Sequence, residues 1–471
     1  MPQQLGDDKR LRNLTGTQRW LLAAILTIAA ALRIGWNNVE TYSPADETVY
    51  ANYTRTLVER GFFHGYPEIA QTFVRDSQRW NFPSPLRWGY FALSTLAAHI
   101  QGSAEPRALA WLSTIAGILV VPLIFVFSLR LFDARVALLA AAFTAVSGIE
   151  LALGRRGLQD EVFCLSVLAS AYCVMVIVTQ RDDETPRWFI ALAIASMTMS
   201  FAIKESFLYL IPAFAALLLL HRRPRELRLR HVALFALPPF LYFAGFCLLT
   251  RSIGTFFRVG ELVTSAMKAP YVVQYQSGPP HRLLLDFFIT TPLVSILAAA
   301  AIVFIVLTAS KRGSERSIAL FVVVAVAVFA IVPSKNLRFH VMLDPFFRLL
   351  AAWVIASAAV TANACKTWTL AGVAAANAAI EIEIFHTIFI KHGGYDPVTQ
   401  TLLQALGALP RENTGADHMM IFPVVCAALI ALWWMWPVNR ALPGSEAERP
   451  GKIKPIKQVV RPAPALRARQ R

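Results

Sequence analysis

RALAWLSTIAGILVVPLIFVFSLRL, residues 107–131, decides the fold. No ionisable side chain lies between Arg107 and Arg130. As an α-helix rising about 1.5 Å per residue, the stretch outruns a bilayer core of roughly 30 Å. Lipid offers a bare backbone amide no partner, so a run of this kind is read as a membrane-spanning helix. Similar runs recur from residue 18 to residue 438 of the 471, and the whole chain is 56% hydrophobic and 16% charged. A soluble surface could not be built from that balance.

Outward from 107–131, the apolar pattern gives twelve expected spans: 18–36, 107–131, 134–153, 160–180, 187–203, 206–221, 231–250, 285–309, 317–333, 341–362, 366–390 and 419–438. Charge parity gives them sides. With the N-terminus inside, Arg130 and Arg135, then Arg181 and Arg187, then Arg222 to Arg230, then Lys311 to Arg316, then Lys366 and finally the basic tail all fall in inner loops. The net charge of +16 is therefore read as positive-inside topology and contact with anionic membrane lipids. Nucleic acid is excluded as a partner, because no basic patch is interleaved with stacking aromatics.

The stretch Trp88 to Ile100 is apolar but too short to cross, and counting it as a span would put the Arg222–Arg230 loop outside. It is expected to be interfacial, near the end of a large first extracytoplasmic loop over 37–107. Residues 1–17 form a cytoplasmic N-terminal tail, 18–438 the transmembrane domain, and 439–471 a basic tail expected to be disordered. The first span is taken as a retained anchor, since no small-residue cleavage site follows it. Five scattered cysteines, without a CxxC pair, read as small membrane hydrophobes.

With sides assigned, ionisable residues gather at the outer ends of the spans. They are Asp46 and Glu47 in ADETVY, Arg155, Arg156, Asp160 and Glu161 in GRRGLQDE, and Lys204 and Glu205 in FAIKES. Lys335, Arg338, His340, Asp344 and Arg348 follow in SKNLRFHVMLDPFFR. Each group has an ordinary reading: a helix-capping pair, interfacial arginine anchors, a short-loop ion pair. Their coincidence at one membrane level favours function. Scattered histidines such as His64 and His281 have no ligand spacing. A carboxylate can take a proton from a hydroxyl nucleophile, and Arg and Lys can hold a phosphate as it becomes a leaving group. That set suits sugar transfer from a lipid phosphate.

These strings resemble the GT-C superfamily of membrane glycosyltransferases, in the branch of protein O-mannosyltransferases and the lipid A aminoarabinose transferase. The resemblance covers roughly residues 18–362. It rests on ADETVYANYTRTLVERGFF (45–63), on FPSPLRWGYFAL (82–93) with Ser84 splitting the paired prolines, on Arg156 and Asp160, on Lys204, and on Arg338 with Phe339. It implies an all-α, roughly twelve-span GT-C-like enzyme of the inner or plasma membrane, with its site facing the extracytoplasmic side. A polyprenyl-phosphate sugar would be the donor, and a hydroxyl on a lipid, glycan or protein the acceptor. Asp46 would be the general base or orient the acceptor, Glu47 would support it, and Asp160 would be the second acidic residue. Lys204 and Arg338 would grip the carrier phosphate, with Arg156, Arg87 and His340 as further substrate-binding groups. Asp46 and Asp160 are the residues to hold a divalent metal ion, if one is used.

The chain departs from the family pattern in two places. Phe82 stands where some relatives have a lysine before the prolines, so Arg79 or Arg87 is the replacement cation. AIKES lacks the glycine that often follows the lysine, which makes Glu205 a candidate partner of Lys204. Two other classes stay open: a lipid-linked sugar flippase or secondary transporter, for which only Glu381 and Glu383 lie at mid-membrane depth, and a non-catalytic assembly subunit.

Overall fold

The computed structural model describes residues 14–37, 45–179, 185–222, 227–270, 272–273, 277–308, 313–332, 335–361 and 366–391. The expected last span, 419–438, and the basic tail lie outside them. The described residues are helical throughout their regular structure. In chain order the helices are α1 (Gly16–Asn37), α2 (Ala45–Arg60), α3 (Phe62–Arg75), α4 (Trp88–Gln101) and α5 (Pro106–Leu131). Next come α6 (Ala134–Ala145), α7 (Gly148–Gly154), α8 (Asp160–Thr179) and α9 (Arg187–Ile203). A 3-10 turn at Glu205–Leu210 leads into α10 (Ile211–His221), followed by α11 (Leu229–Thr250) and α12 (Ile253–Ala266). The series closes with α13 (Arg282–Thr290), α14 (Pro292–Thr308), α15 (Ser314–Ile331), α16 (Asp344–Thr361) and α17 (Lys366–Ile384).

Local chemistry sets many of these boundaries. Pro106 opens α5, where its missing amide hydrogen has no helical partner to lose. Asp133 caps α6 by accepting from Arg135 N at 2.9 Å and Val136 N at 3.0 Å. The expected span 134–153 is broken into α6 and α7, inclined by 53°. Ser147 sits at the break and caps α7. Likewise, Thr291 and Pro292 divide the expected span 285–309 into α13 and α14. Proline cannot donate to the preceding turn, so the helix restarts there.

Among the described residues, seven helical stretches are long and apolar enough to cross a membrane, or eight if the bent α6–α7 pair is one span. Arg187–Ile203, Glu205–His221 and Pro292–Thr308 are shorter apolar helices. Large apolar side chains such as Trp20, Ile28, Leu248, Val303 and Leu307 are exposed on them, as a lipid-facing surface requires. Inside the bundle, α5 packs on α1, α6 and α8, α9 on α8 and α11, α10 on α15, and α16 on α6 and α14.

The stretch read as too short to cross is helix α4, and it is wedged between α2 and α9. Gly89 makes this approach close enough to fit. A Cβ there would lie 2.7 Å from Ala202 Cβ and 2.9 Å from Met199 Sδ, both on α9. Trp88 secures the other flank by donating from Nε1 to Tyr242 O of α11 at 3.2 Å. Gly89→Ala is therefore expected to prise α4 from α9. The expected cost is about 1–3 kcal/mol, read as a lowered thermal unfolding midpoint of the detergent-solubilised chain.

Candidate active site

Four junctions remote in sequence come together at the N-terminus of α2, the α7–α8 loop, the end of α9 and the turn before α16. Serine and threonine from α5 hold the α7–α8 loop. Thr114 Oγ1 donates to Gly154 O at 2.8 Å and Ser113 Oγ to Leu158 O at 2.7 Å. Gly157 lies against α5 so closely that a Cβ would sit 2.8 Å from Pro106 O. These contacts fix Arg156 and Asp160 on either side of the loop.

Each carboxylate in this cluster faces a cation from another junction. Glu47 Oε1 accepts from Arg156 Nε at 3.1 Å and from Gly157 N at 3.2 Å. Lys204 Nζ donates to Asp160 Oδ1 at 2.6 Å. Asp46 Oδ2 accepts from Arg338 Nη2. Arg87 grips Glu205 with both arms, Nε to Oε2 at 3.0 Å and Nη2 to Oε1 at 2.8 Å. Its third nitrogen, Nη1, donates to Tyr50 Oη at 2.7 Å. The Phe339 ring joins two of the cations, with Lys204 Nζ 4.5 Å and Arg338 Cζ 5.7 Å from its centroid. Asp46, Glu47, Asp160, Arg156, Lys204, Arg338 and Arg87 thus form one continuous cluster.

Other expectations are corrected. Glu205 was the candidate partner of Lys204, but it faces Arg87, because the lysine turns back from the end of α9 to Asp160. Asp344 and Arg348 were expected at the same level as Arg338. They point into the bundle instead, bonded to each other at 2.6 Å, with Arg348 also 3.1 Å from Glu381. Lys335 is turned away as well: Nζ donates to the last carbonyls of α15, Phe329 O at 2.9 Å and Ala330 O at 3.0 Å. Burial, and then the nearby Arg282, push its ammonium down to about 7. His340 is buried behind the cluster, edge-on to Phe329, and neither ring nitrogen has a hydrogen-bond partner among the described residues. Burial, then Lys335, Lys204 and Arg282, keep its imidazole neutral.

Tyr50 was missed, since a tyrosine in ADETVY carries no sign that an arginine from residue 87 will reach it. Glu381, half of the transporter alternative, is held by Arg348, and Glu383 is exposed.

The ion pairs differ in access, and this bears on their chemistry. The side chains of Glu47 and Arg156 are 1% and 3% exposed, and those of Asp160 and Lys204 1% and 2%. Asp46 and Arg338 are 23% and 15% exposed, and Arg87 and Glu205 14% and 27%. Burial opposes ionisation of Asp46, but Arg338, then Arg87 and Arg156, outweigh it and hold the carboxyl below its ordinary value. Burial also lowers the Lys204 ammonium, as do Arg87 and Arg338, while Asp160 opposes the shift. Asp46 and Asp160, the expected ligands of a divalent metal if one is used, are both ion-paired. Each carboxylate already faces a cation, and among the described residues no group of three or more His, Cys, Asp or Glu could hold a metal.

Residues 88–247, from α4 into α11, match the family model described as dolichyl-phosphate-mannose-protein mannosyltransferase. No curated protein matches the chain by sequence. Among solved structures, ArnT from Cupriavidus metallidurans bound to undecaprenyl phosphate is similar at 16% identity, with a TM-score of 0.50, over 89% of this chain and 77% of that one. The oligosaccharyltransferase AglB from Archaeoglobus fulgidus, in complex with an inhibitory peptide and a dolichol-phosphate, is similar at 14% identity, with a TM-score of 0.50. That match covers 90% of this chain and 55% of AglB. The resemblance to the GT-C membrane glycosyltransferases thus holds in the family model and in the fold. The chain is an integral membrane protein built on that fold.

The two acidic neighbours at the start of α2 should separate in their effect on stability. Glu47→Ala removes the buried carboxylate to which Arg156 Nε and Gly157 N donate and is expected to cost about 3–5 kcal/mol. Asp46→Asn, at the part-buried pair and nearly isosteric, should cost less, about 1 kcal/mol. Thermal unfolding of the two purified variants checks the contrast.

Proposed function

We propose that the protein is a membrane glycosyltransferase that moves a sugar from a polyprenyl-phosphate carrier to an acceptor hydroxyl, with Asp46 as general base. The observation that carries this reading is the graded exposure of the ion pairs. The four cations Arg87, Arg156, Lys204 and Arg338 face four carboxylates, so an incoming phosphate must displace one of them. The part-buried Asp46–Arg338 pair opens at less cost than the Glu47–Arg156 and Asp160–Lys204 pairs, because less desolvated charge is stranded when it parts.

A carrier phosphate taking Arg338 leaves Asp46 ionised and without its strongest counter-charge. That raises the basicity of Asp46 at the moment an acceptor hydroxyl arrives. The acceptor oxygen gives its proton to Asp46 and attacks the anomeric carbon as the bond from that carbon to the phosphate oxygen breaks. The electron pair leaves with the phosphate, held by Arg338, while Lys204 stays bonded to Asp160 and adds positive charge from behind. A single in-line displacement inverts the anomeric centre, through a transition state of oxocarbenium character. Arg87, fixed by Glu205 and Tyr50, supplies a further cation at the mouth, and Arg156 keeps Glu47 and the α7–α8 loop in place. No step is routed through a metal ion.

The proposed topology follows charge parity: twelve crossings, N-terminus inside, α2 to α4 in the first extracytoplasmic loop, and the site facing away from the cytoplasm. The family model over 88–247 and the polyprenyl phosphates bound in ArnT and AglB support a lipid-phosphate donor.

The test is turnover of a polyprenyl-phosphate sugar by the purified chain in lipid nanodiscs. Asp46→Asn is expected to lose about 10²–10⁴-fold in kcat. Wild-type activity would rule out Asp46 as the base. Because the carboxyl of the free protein is held below its usual value, kcat/KM should show no acid limb from Asp46 above about pH 4. An acid limb near neutrality that vanishes in Asp46→Asn would contradict that ionisation state.

A further inference from the structure

A second ionic cluster lies deeper in the bundle, where α1, α7, α8, α16 and α17 meet. Arg33 of α1 donates from Nη2 to Glu150 Oε2 at 2.9 Å and to Thr144 O at 3.1 Å, and from Nη1 to Ala145 O at 2.9 Å. Arg348 donates from Nε to Asp344 Oδ2 at 2.6 Å, from Nη2 to Ser147 Oγ at 2.9 Å and from Nη1 to Phe143 O at 2.9 Å. Its Nη2 is also 3.1 Å from Glu381 Oε1, and Gly148 N donates to Glu381 Oε2 at 2.9 Å. All these ionisable residues are at most 2% exposed.

Glu161, fully buried in the first turn of α8, is the odd member. Neither of its carboxyl oxygens has a hydrogen-bond partner among the described residues. It is aimed at the same space as Arg33: a Cβ on Gly117 would lie 3.0 Å from Arg33 Nε and 3.4 Å from Glu161 Oε2. Its electrostatic surroundings are Glu150, Asp344 and Asp160 with Arg33, and Cys164 of the next turn faces the same groups.

The charges do not balance. Among the described residues, four carboxylates (Glu150, Glu161, Asp344, Glu381) meet two guanidinium groups (Arg33, Arg348). Arg33 and Glu150 neutralise each other. Arg348 stands between Asp344 and Glu381 and can neutralise only one of them, and Glu161 is bonded to no cation among the described residues. Two uncompensated negative charges, shut away from water, would cost far more than protonating the acids that carry them. No group of three or more His, Cys, Asp or Glu among the described residues could hold a metal, so the cation that fits is the proton.

We propose that this cluster is a proton-binding site that holds two protons at neutral pH, one on Glu161 and one on Glu381, the acid that lies farther from Arg348. The inference is independent of the sugar-transfer reading.

Infrared spectroscopy of the full chain, in a maltoside detergent free of ester carbonyls, tests it. At about pH 8 exposed carboxyl groups are ionised. The wild type should nevertheless keep a carboxylic-acid C=O band, and the difference from Glu161→Gln should show the loss of one such band with no change in carboxylate absorption. Glutamine matches a neutral acid in shape, so the variant should fold. If it does not, the wild-type band decides the presence of bound protons by itself. No acid band at that pH overturns the proposal, as does loss of a carboxylate band in Glu161→Gln. One acid band, from the second proton, should remain in that variant; a Glu161→Gln spectrum that loses no acid band overturns the assignment to Glu161.

Discussion

An ion buried in this bundle must find its counter-charge within the bundle, and the rest of the structure is arranged around that constraint. Water is not available to solvate Arg33, Arg348 or Glu47, and an uncompensated charge in such a place costs several kcal/mol. Helices far apart in sequence are therefore held in register by charge pairs. Arg156 meets Glu47 from 109 positions away, and Arg33 meets Glu150 from 117. Apolar packing alone specifies register weakly, since lipid tails compete with Leu and Val side chains on equal terms.

The same constraint sorts the ion pairs by use. Pairs below about 3% exposure, such as Lys204–Asp160 and Arg156–Glu47, cannot part without stranding a charge, so they position the elements that carry them. The Asp46–Arg338 and Arg87–Glu205 pairs reach solvent and can exchange partners with an arriving anion. On the proposed reading, a site made of exchangeable pairs resting on fixed ones stays neutral when empty and would become a phosphate clamp when one carboxylate swings away.

Much of this was legible in the sequence, for a physical reason. Helices in lipid must be long and apolar, and basic loops mark one side, so stretches such as 107–131 and 160–180 stand out and the ionisable residues between them gain an address. Asp46, Asp160, Lys204 and Arg338 were found in that way. The partner of each was not legible, because side-chain direction at a helix end depends on backbone geometry: Lys204 turns to Asp160, and Glu205, its neighbour, to Arg87. Depth was misjudged where a junction runs into a helix. Arg338 stays at the mouth, while Asp344 and Arg348, in the first two turns of α16, drop into the interior. Arg33 and Glu150 gave no signal, since a single charge in an apolar run does not announce a partner more than a hundred residues away.

The central claim is that Arg338 exchanges its carboxylate for the phosphate of a polyprenyl carrier, and its most direct test is binding. Native mass spectrometry of the chain with undecaprenyl phosphate, comparing wild type with Arg338→Ala, reads that exchange without any need to know the sugar or the acceptor. The account predicts that the wild type retains the lipid and that Arg338→Ala loses at least about tenfold in affinity, the 1.4 kcal/mol or more expected of a charge-assisted hydrogen bond. Equal retention by the two proteins would contradict it.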